Sequence, residues 1–244
     1  MPFKRPENLE FPTTYYTFKV KSRESDEVIE YRVQDLPDDR FEEALELMRT
    51  HFLPDESLCS SSGIPDDPVA RQIFLDFWIE CMKQHLSIAC FRNDGVDNML
   101  ISVNCFVVNG KDDPEEDIKY ENPKVQKIFD FLNYTSEVSD IYSAYNVNQY
   151  LTAYGLCVNR KYRGQGIATE MLKARIPYLK KMGLSVTSTA FTAIGSQVAA
   201  KKAGYIDFYV KSYEEIKDID PRFDFRNNST STKDFKIMVI TADS

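Results

Sequence analysis

Arg163-Gly164-Gln165-Gly166-Ile167-Ala168 is the stretch on which the reading of this chain turns. Before it runs an apolar segment, Leu151 to Val158, with the character of a buried strand. After it, Ile167, Ala168, Met171, Leu172, Ile176 and Leu179 recur at helical spacing. Two glycines therefore stand where a strand hands over to a helix N-terminus. Unpaired backbone N–H groups and the positive end of the helix dipole meet there, so the place suits an anion. Gly164 and Gly166 let a bulky anion come close to the backbone. Arg160, Lys161 and Arg163 add positive charge in a chain whose formal net charge is −8.

The spacing is neither of the two common phosphate loops. A dinucleotide fingerprint needs a third glycine, and a P-loop needs G-x-x-x-x-G-K-[ST]; both are absent. The bland alternative is a glycine-rich turn that only connects strand to helix. The pattern R-x-x-G-x-A, formed by Arg163, Gly166 and Ala168, resembles the coenzyme A pyrophosphate loop of the GNAT N-acetyltransferase superfamily.

Composition narrows the alternatives. A chain of 244 residues, 43% hydrophobic, can bury a full core as one large domain or two small ones. Its acidic balance argues against broad binding to nucleic acid or anionic membranes. Cys59, Cys81, Cys90, Cys105 and Cys157 show no C-x-x-C spacing and are odd in number, so they read as buried thiols of a reducing compartment. The two histidines, His51 and His85, lie far apart, and no metal site is expected. No signal peptide, membrane-spanning run or lipidation motif is legible, and a cytoplasmic protein is expected, monomeric and free of nucleic-acid or membrane partners.

Along the chain, residues 1–27 read as an N-terminal arm and residues 28–244 as one domain. Val28 to Val33 reads as the first strand. Asp38 or Asp39 is a candidate cap for a helix with Phe41, Ala44, Leu45, Met48 and Phe52 on one face. Asp67-Pro68 starts a second helix whose aromatic-rich stripe Val69, Ile73, Phe77 and Cys81 is expected to be core, with a ligand-lining face as the alternative. Leu86 to Phe91 and Leu100 to Val108 are apolar runs split by the hairpin signal Asn93-Asp94-Gly95. Lys111 to Asp117 reads as a solvated loop, and Asn122-Pro123 starts a third helical segment. Ile141 to Tyr150 is a tyrosine-rich connection. Pro177 falls inside the long helix and removes the hydrogen bond to the Lys173 carbonyl, so a kink or a shorter helix is expected. Gly183 caps that helix, Leu184 to Phe191 reads as a strand, and Ser196 to Ala203 as a short helix closed by Gly204. Tyr205 to Val210 and Phe235 to Ile240 are the last strands, with a turn or mobile loop over Asn227 to Lys233.

Three separated segments carry a closer resemblance, to the insect arylalkylamine N-acetyltransferases that include dopamine N-acetyltransferase. Phe52-Leu53-Pro54-Asp55-Glu56-Ser57-Leu58 is similar to F-x-x-D-E-P-L. Leu156-Cys157-Val158 with Tyr162-Arg163-Gly164-Gln165-Gly166-Ile167-Ala168 is similar to L-S-V and Y-R-G-L-G-I-A. Thr192-Ala193-Ile194-Gly195-Ser196, leading to Lys202-Ala203-Gly204-Tyr205, is similar to S-x-x-x-S and K-L-G-F. The resemblance implies a GNAT fold of α/β (α+β) type. Its central sheet is mixed, mostly antiparallel and twisted, splayed at the acetyl-CoA site, with helices on both faces.

The resemblance also implies roles. Glu56 would be the general base, reached through water, since an ammonium has no lone pair and must lose a proton before attack. Thr192 and Ser196 would be the family's two serines, the second placed to protonate the leaving thiolate. Each also has a bland role: Glu56 as a solvated turn carboxylate, Ser196 as a helix cap, Thr192 as a strand end. The tyrosine that many GNAT enzymes use as the thiolate acid is replaced by Ala200. Acetyl-CoA would be the cosubstrate, with no metal. Its pantetheine arm would run along Leu156, Cys157 and Val158. Its pyrophosphate would rest on Arg163, Gly164, Gln165, Gly166, Ile167 and Ala168. A backbone N–H near Val158 would polarise the thioester carbonyl. Cys157, a strand thiol with no base beside it, reads as structural.

The activity expected is acetyl transfer to the primary amine of an arylalkylamine such as dopamine, tyramine, octopamine or serotonin. The runner-up changes the acceptor to a polyamine, another small amine or a protein amine. The third is a coenzyme A sensor without turnover. The acceptor cleft is expected from the 52–58 loop, the second helix and the 141–150 connection, with Tyr142, Tyr145 and Tyr150 either stacking on the substrate or packing among themselves.

Overall fold

The computed structural model describes residues 3–22, 27–93, 98–114 and 118–244. The first half runs β1 (Thr14–Lys21), β2 (Val28–Asp35), α1 (Phe41–Leu47), α2 (Ser57–Ser61), α3 (Pro68–Lys83), β3 (Ile88–Arg92), β4 (Leu100–Gly110), α4 (Pro123–Ser139) and α5 (Ile141–Tyr145). The second half is β5 (Gln149–Val158), α6 (Ile167–Lys173), α7 (Arg175–Met182), β6 (Val186–Phe191), α8 (Ile194–Lys202), β7 (Ile206–Ser212), α9 (Tyr213–Ile219) and β8 (Asp234–Thr241). The strands form one sheet in the order β1-β2-β3-β4-β5-β6-β8-β7. Every neighbouring pair is antiparallel except β5 and β6, whose single registered pair is Leu151 with Thr187. Past that pair the two strands diverge, which is the splay expected of a GNAT fold.

Several elements start where the sequence says they should. Pro68 and Pro123 stand at the first positions of α3 and α4, where a missing N–H costs nothing. Asp67 and Asn122 accept from the next free amides: Val69 and Ala70 in one helix, Lys124 and Val125 in the other. The long helix breaks at Ala174 into α6 and α7, the interruption that Pro177 demands. Other elements correct the expectation. Within the expected N-terminal arm, residues 14–21 form β1, which pairs with β2 and makes an edge of the sheet. Asp38 and Asp39 lie in a single tight turn, and α1 begins after it without a side-chain cap. The polar stretch 227–233 is pinned: the Asn228 amide donates to the Phe225 and Thr232 carbonyls, and Thr232 Oγ1 accepts from the Ile194 N–H. The Asp94-Gly95 turn and residues 115–117 of the charged loop lie outside the described residues.

Helices cover both faces. On one, α1, α2, α3, α4 and α9 bury Trp78, Phe74, Phe131 and Tyr213 against the sheet. On the other, α6 and α7 pack Met171, Tyr178 and Leu179 onto β1 to β5. Helix α8 lies over β6 and β8 through Ala199, Ala200 and Met238. The splay therefore opens between two packed halves.

Candidate active site

A cleft of about 1110 Å³ runs through the splay, from the start of α6 to a pocket under α3 and α4. Its first limb is made of backbone. The Asn159 N–H donates to the Ile101 carbonyl at 2.9 Å, and the register places Cys157 opposite Val103 and Leu156 opposite Asn104. Antiparallel pairs alternate, so Asn159 and Cys157 bond to β4 while Leu156 and Val158 turn their N–H groups away from it, into the splay. Leu156 and Val158 thus offer the edge that an added extended chain needs. Cys157 faces inward; it is buried, burial pushes its thiol up to about 12, and its Sγ leans on the Leu47 carbonyl at 3.5 Å, as a structural thiol would.

At the end of this edge Gly164 (φ 73°) and Gly166 (φ 86°) adopt the left-handed conformation that opens the loop. A Cβ built on Gly166 would meet nothing within 4 Å, so the cradle in front of Ile167 and Ala168 is open space. The first amides of α6 point there without intrahelical partners. These features fit a diphosphate. Arg163 fits it less simply than expected. Its N–H donates to the Arg160 carbonyl at 3.3 Å. Its guanidinium donates to the Val158 carbonyl (2.9 Å), to Asp55 (2.5 Å) and to the His51 carbonyl (2.9 Å). Arg160 grips the same Asp55 carboxylate at 2.8 and 3.1 Å. Arg163 is therefore a strut between the loop and the 52–58 segment. Gln165 does not line the cleft; its amide leans on the Lys161 carbonyl at 3.5 Å. Burial alone would raise the Asp55 carboxyl, but the two arginines outweigh it and hold it below the usual carboxylate range.

Glu56 lies where the limbs meet. It is the N-cap of α2, accepting from the Leu58 N–H at 3.1 Å and the Cys59 N–H at 2.7 Å. Thr192 Oγ1 donates to Glu56 Oε1 at 2.5 Å, joining the end of β6 to the start of α2. Two residues singled out 136 positions apart are thus in direct contact. Ser196 lines the cleft too, but its hydroxyl donates to the Ala193 carbonyl at 2.8 Å, inside its own helix. Ser57, standing where the family pattern has proline, is buried and shares a proton with Thr230 at 3.0 Å.

The second limb is made of side chains. The buried residues of α3 are Ala70, Phe74, Trp78, Cys81 and Met82; of the expected stripe Cys81 is buried, Ile73 and Phe77 are half-buried against the core, and Val69 is exposed. Phe74, Phe77 and Trp78 line the cleft, with Phe129 of α4 and Tyr154 of β5. Phe77 meets Phe129 and Tyr154 edge-on, both at 5.1 Å, and Phe74 stacks on Phe129 at 5.7 Å. The Trp78 indole donates to the Tyr154 carbonyl at 2.7 Å. Tyr142 and Tyr150 line the far end and touch at 5.1 Å, whereas Tyr145 packs on Phe208. Tyr150 bonds to Asn109 and Ser136, each at 3.1 Å.

A wide turn over Met48–Phe52, closed by the Leu53 N–H on the Met48 carbonyl, presses Met48 and Phe52 onto β5. They meet it at Gly155, where the register with β4 slips. A Cβ there would lie 2.5 Å from Met48 Cε and 3.3 Å from Phe52 Cζ, and φ is +140°. Only glycine fits this bulge.

A profile of the acetyltransferase (GNAT) family matches residues 127–211. Insect putative arylalkylamine N-acetyltransferase 7 of the yellow fever mosquito Aedes aegypti has a solved structure that is 34% identical, covering 99% of this chain and 100% of that one with a TM-score of 0.92. The chain belongs to the GNAT acetyltransferases. Two further solved structures share the fold. Aedes aegypti arylalkylamine N-acetyltransferase 2 is 18% identical over 87% of this chain and 99% of its own, with a TM-score of 0.74. Drosophila melanogaster polyamine N-acetyltransferase, which forms N-acetylagmatine, is 15% identical over 86% and 99%, with a TM-score of 0.69. No curated protein sequence matched the chain. GNAT acetyltransferases use acetyl-CoA, which agrees with the backbone-lined limb. No helix among the described residues is long and apolar enough to cross a membrane.

What the sequence did not announce of this GNAT site is mostly in α4 and β5. Phe129, Leu132 and Ser136 read as an ordinary amphipathic helix, and nothing local says that its inner face meets a cleft. Gly155, inside a strand, was the available signal for a bulge.

Proposed function

We propose that the protein transfers the acetyl group of acetyl-CoA to the primary amine of an arylalkylamine, by direct attack with both substrates bound. One observation carries the reading: the open backbone edge and the aromatic-walled pocket are two limbs of one cleft, and Glu56 sits at their junction. The diphosphate rests on the amides from Gly166 to Ala168, and the pantetheine arm pairs with Leu156 and Val158. The aromatic ring of the acceptor lies against Phe77, Phe129 and Tyr154 with its amine toward Glu56. The carboxylate accepts from two amides, from Thr192 and from the Cys59 thiol, and in this reading it takes the amine proton through water. Thr192 fixes the carboxylate's orientation. Ser196 would need to leave the Ala193 carbonyl before protonating sulfur, so the thiolate leaves to solvent or after that rotation.

The carboxylates favour this acceptor over a polyamine. Among the described residues the cleft is lined by three: Asp55, Glu56 and Asp113. Asp55 is held by two arginines, Glu56 by its cap and Thr192, and Asp113 accepts from the Gly110 N–H at 2.9 Å. A second cationic end would find each already engaged, while a ring finds aromatic faces. A thiol-release assay with acetyl-CoA and a panel of amines tests this. Release with dopamine, tyramine or serotonin is expected. Release with spermidine or agmatine alone would replace the acceptor class, and coenzyme binding without release for any amine would replace the enzyme by a sensor.

A further inference from the structure

Arg175 is the side chain the reaction above leaves unexplained. It is wholly buried, with 0% of its surface exposed, at the break between α6 and α7. Its Nε and Nη2 donate to Asn104 Oδ1 at 3.2 and 2.9 Å; its Nη1 donates to Thr189 Oγ1 at 2.7 Å and Thr187 Oγ1 at 3.3 Å. The rings of Phe106 and Tyr205 lie 5.0 and 6.0 Å away. Every partner is neutral, and among the described residues no carboxylate pairs with it. A buried, uncompensated cation is expensive, and removing charge from such a place is often stabilising. The fold keeps it at the apex of the splay, between β4 and the residues of β6 at and just past the last shared pair.

The bonds continue past Asn104. A guanidinium can only donate, so the amide oxygen of Asn104 must face Arg175 and its nitrogen must face away. That nitrogen donates to the Gly155 carbonyl at 2.8 Å. The other end of the same peptide unit is the Leu156 N–H. In a planar trans peptide the C=O and N–H point in opposite directions, so Leu156 N–H aims into the splay, as the strand alternation independently requires. Three donors stand in series: guanidinium, carboxamide, peptide.

We infer that Arg175 and Asn104 are positioning residues that orient and polarise the Leu156 N–H as the oxyanion donor for the thioester carbonyl. The inference rests on the coenzyme reading above. As the amine nitrogen attacks, the C–N bond forms and the carbonyl π pair moves onto oxygen, where the Leu156 N–H meets it. The ammonium's first proton has by then passed through Glu56 and its water to solvent; when that pair returns, the C–S bond breaks, sulfur leaves with its electrons, and the nitrogen's second proton passes by the same water to the thiolate or to solvent. Hydrogen bonds in series strengthen one another, and a charge at the head of the series strengthens the last donor most cheaply where no water competes.

The test is the infrared stretch of the carbonyl of acetyl-CoA, carbon-13 labelled, bound to the protein without amine. In the wild type it should lie below its value in solution. Arg175→Met should return it toward the solution value and lower kcat about tenfold to a hundredfold, with KM for acetyl-CoA within twofold and thermal stability kept or raised. Arg175→Lys, which keeps the charge, should retain most of the shift. An unshifted wild-type carbonyl, or an Arg175→Met carbonyl still fully shifted, overturns the relay. If Arg175→Met does not fold, Thr189→Val decides: a carbonyl that does not move when this anchor is lost speaks against the relay as the wild-type result would. Failure of acetyl-CoA to bind overturns both this inference and the coenzyme reading. A shifted carbonyl with no arylalkylamine turnover leaves the relay standing and sinks only the acceptor class.

Discussion

The limb of the cleft along β5 and the limb under α3 and α4 are made from different material. The first uses peptide groups: the outward amides of Leu156 and Val158, two left-handed glycines and the mouth of α6. Its geometry comes from strand alternation and from residues within about a dozen positions of one another. The second uses rings from α3, α4 and β5, drawn together only by tertiary packing. A backbone site tolerates side-chain change and accepts one ligand shape; a side-chain site can be re-cut by single substitutions. The first limb should therefore behave alike across related chains, and the second should decide which amine is taken.

Substitutions can break this division. Glu56, at the junction, should show the largest effect: Glu56→Ala should lower kcat by about a hundredfold or more at neutral pH without weakening acetyl-CoA, read by steady-state kinetics and calorimetry. Because Glu56 also caps α2, Glu56→Gln separates the roles; it keeps an acceptor for the cap and should lose the rate while holding the melting temperature. Gly166→Ala forces a side chain into φ 86° and puts a methyl in the open cradle. It should raise KM for acetyl-CoA roughly tenfold and leave the amine KM unchanged. Phe129→Ala should do the converse: KM for tyramine should rise by about tenfold and that of a short aliphatic amine should hardly move. If either variant moves the other substrate's KM as much, the two limbs are not separable.

Smaller effects sharpen the picture. Thr192→Val removes the bond to Glu56 and should slow turnover several-fold, on the order of one hydrogen bond to a charged group. Ser196→Ala removes only a bond inside α8 and should do less, the reverse of the ranking the family pattern suggests. Asp55 bridges Arg160 and Arg163 at the partly exposed surface, so its worth is below about 1 kcal/mol after screening. Its carboxyl is depressed in the folded protein, so that stability is present above the unfolded value near pH 4 and disappears as the pH falls through the folded one. Urea melts of Asp55→Asn should differ from the wild type at neutral pH and converge in acid.

Much of this was legible in the chain. Glycine and proline report backbone needs directly, which is why the loop at 163–168, the caps at Asp67 and Asn122, and the break forced by Pro177 were readable. Glu56, Thr192 and Ser196 were found through resemblance, yet only the structure brings Glu56 and Thr192 into contact. What was not readable depends on partners far away in sequence. The face of α3 is only partly as read, with Cys81 buried and Val69 exposed, because Val69 and Ala70 are both apolar and only packing chooses between them. Residues 16–21 alternate cleanly, with Tyr16, Phe18 and Val20 set against Thr17, Lys19 and Lys21, so this strand was legible and the reading of an arm passed over it. Arg163 looked like free positive charge because nothing in the sequence places Asp55 beside it.

The lone registered pair between Leu151 and Thr187 has a mechanical meaning. Within the one sheet, five strands stand on one side of that rung and three on the other; Arg175 reaches across, as do the Glu56–Thr192 and Ser57–Thr230 bonds and the packing of α6 on α8. Anything extended that lies between them supplies the missing rungs. An extended coenzyme laid there should act as a removable stave, and saturating acetyl-CoA should raise the melting temperature of the whole body.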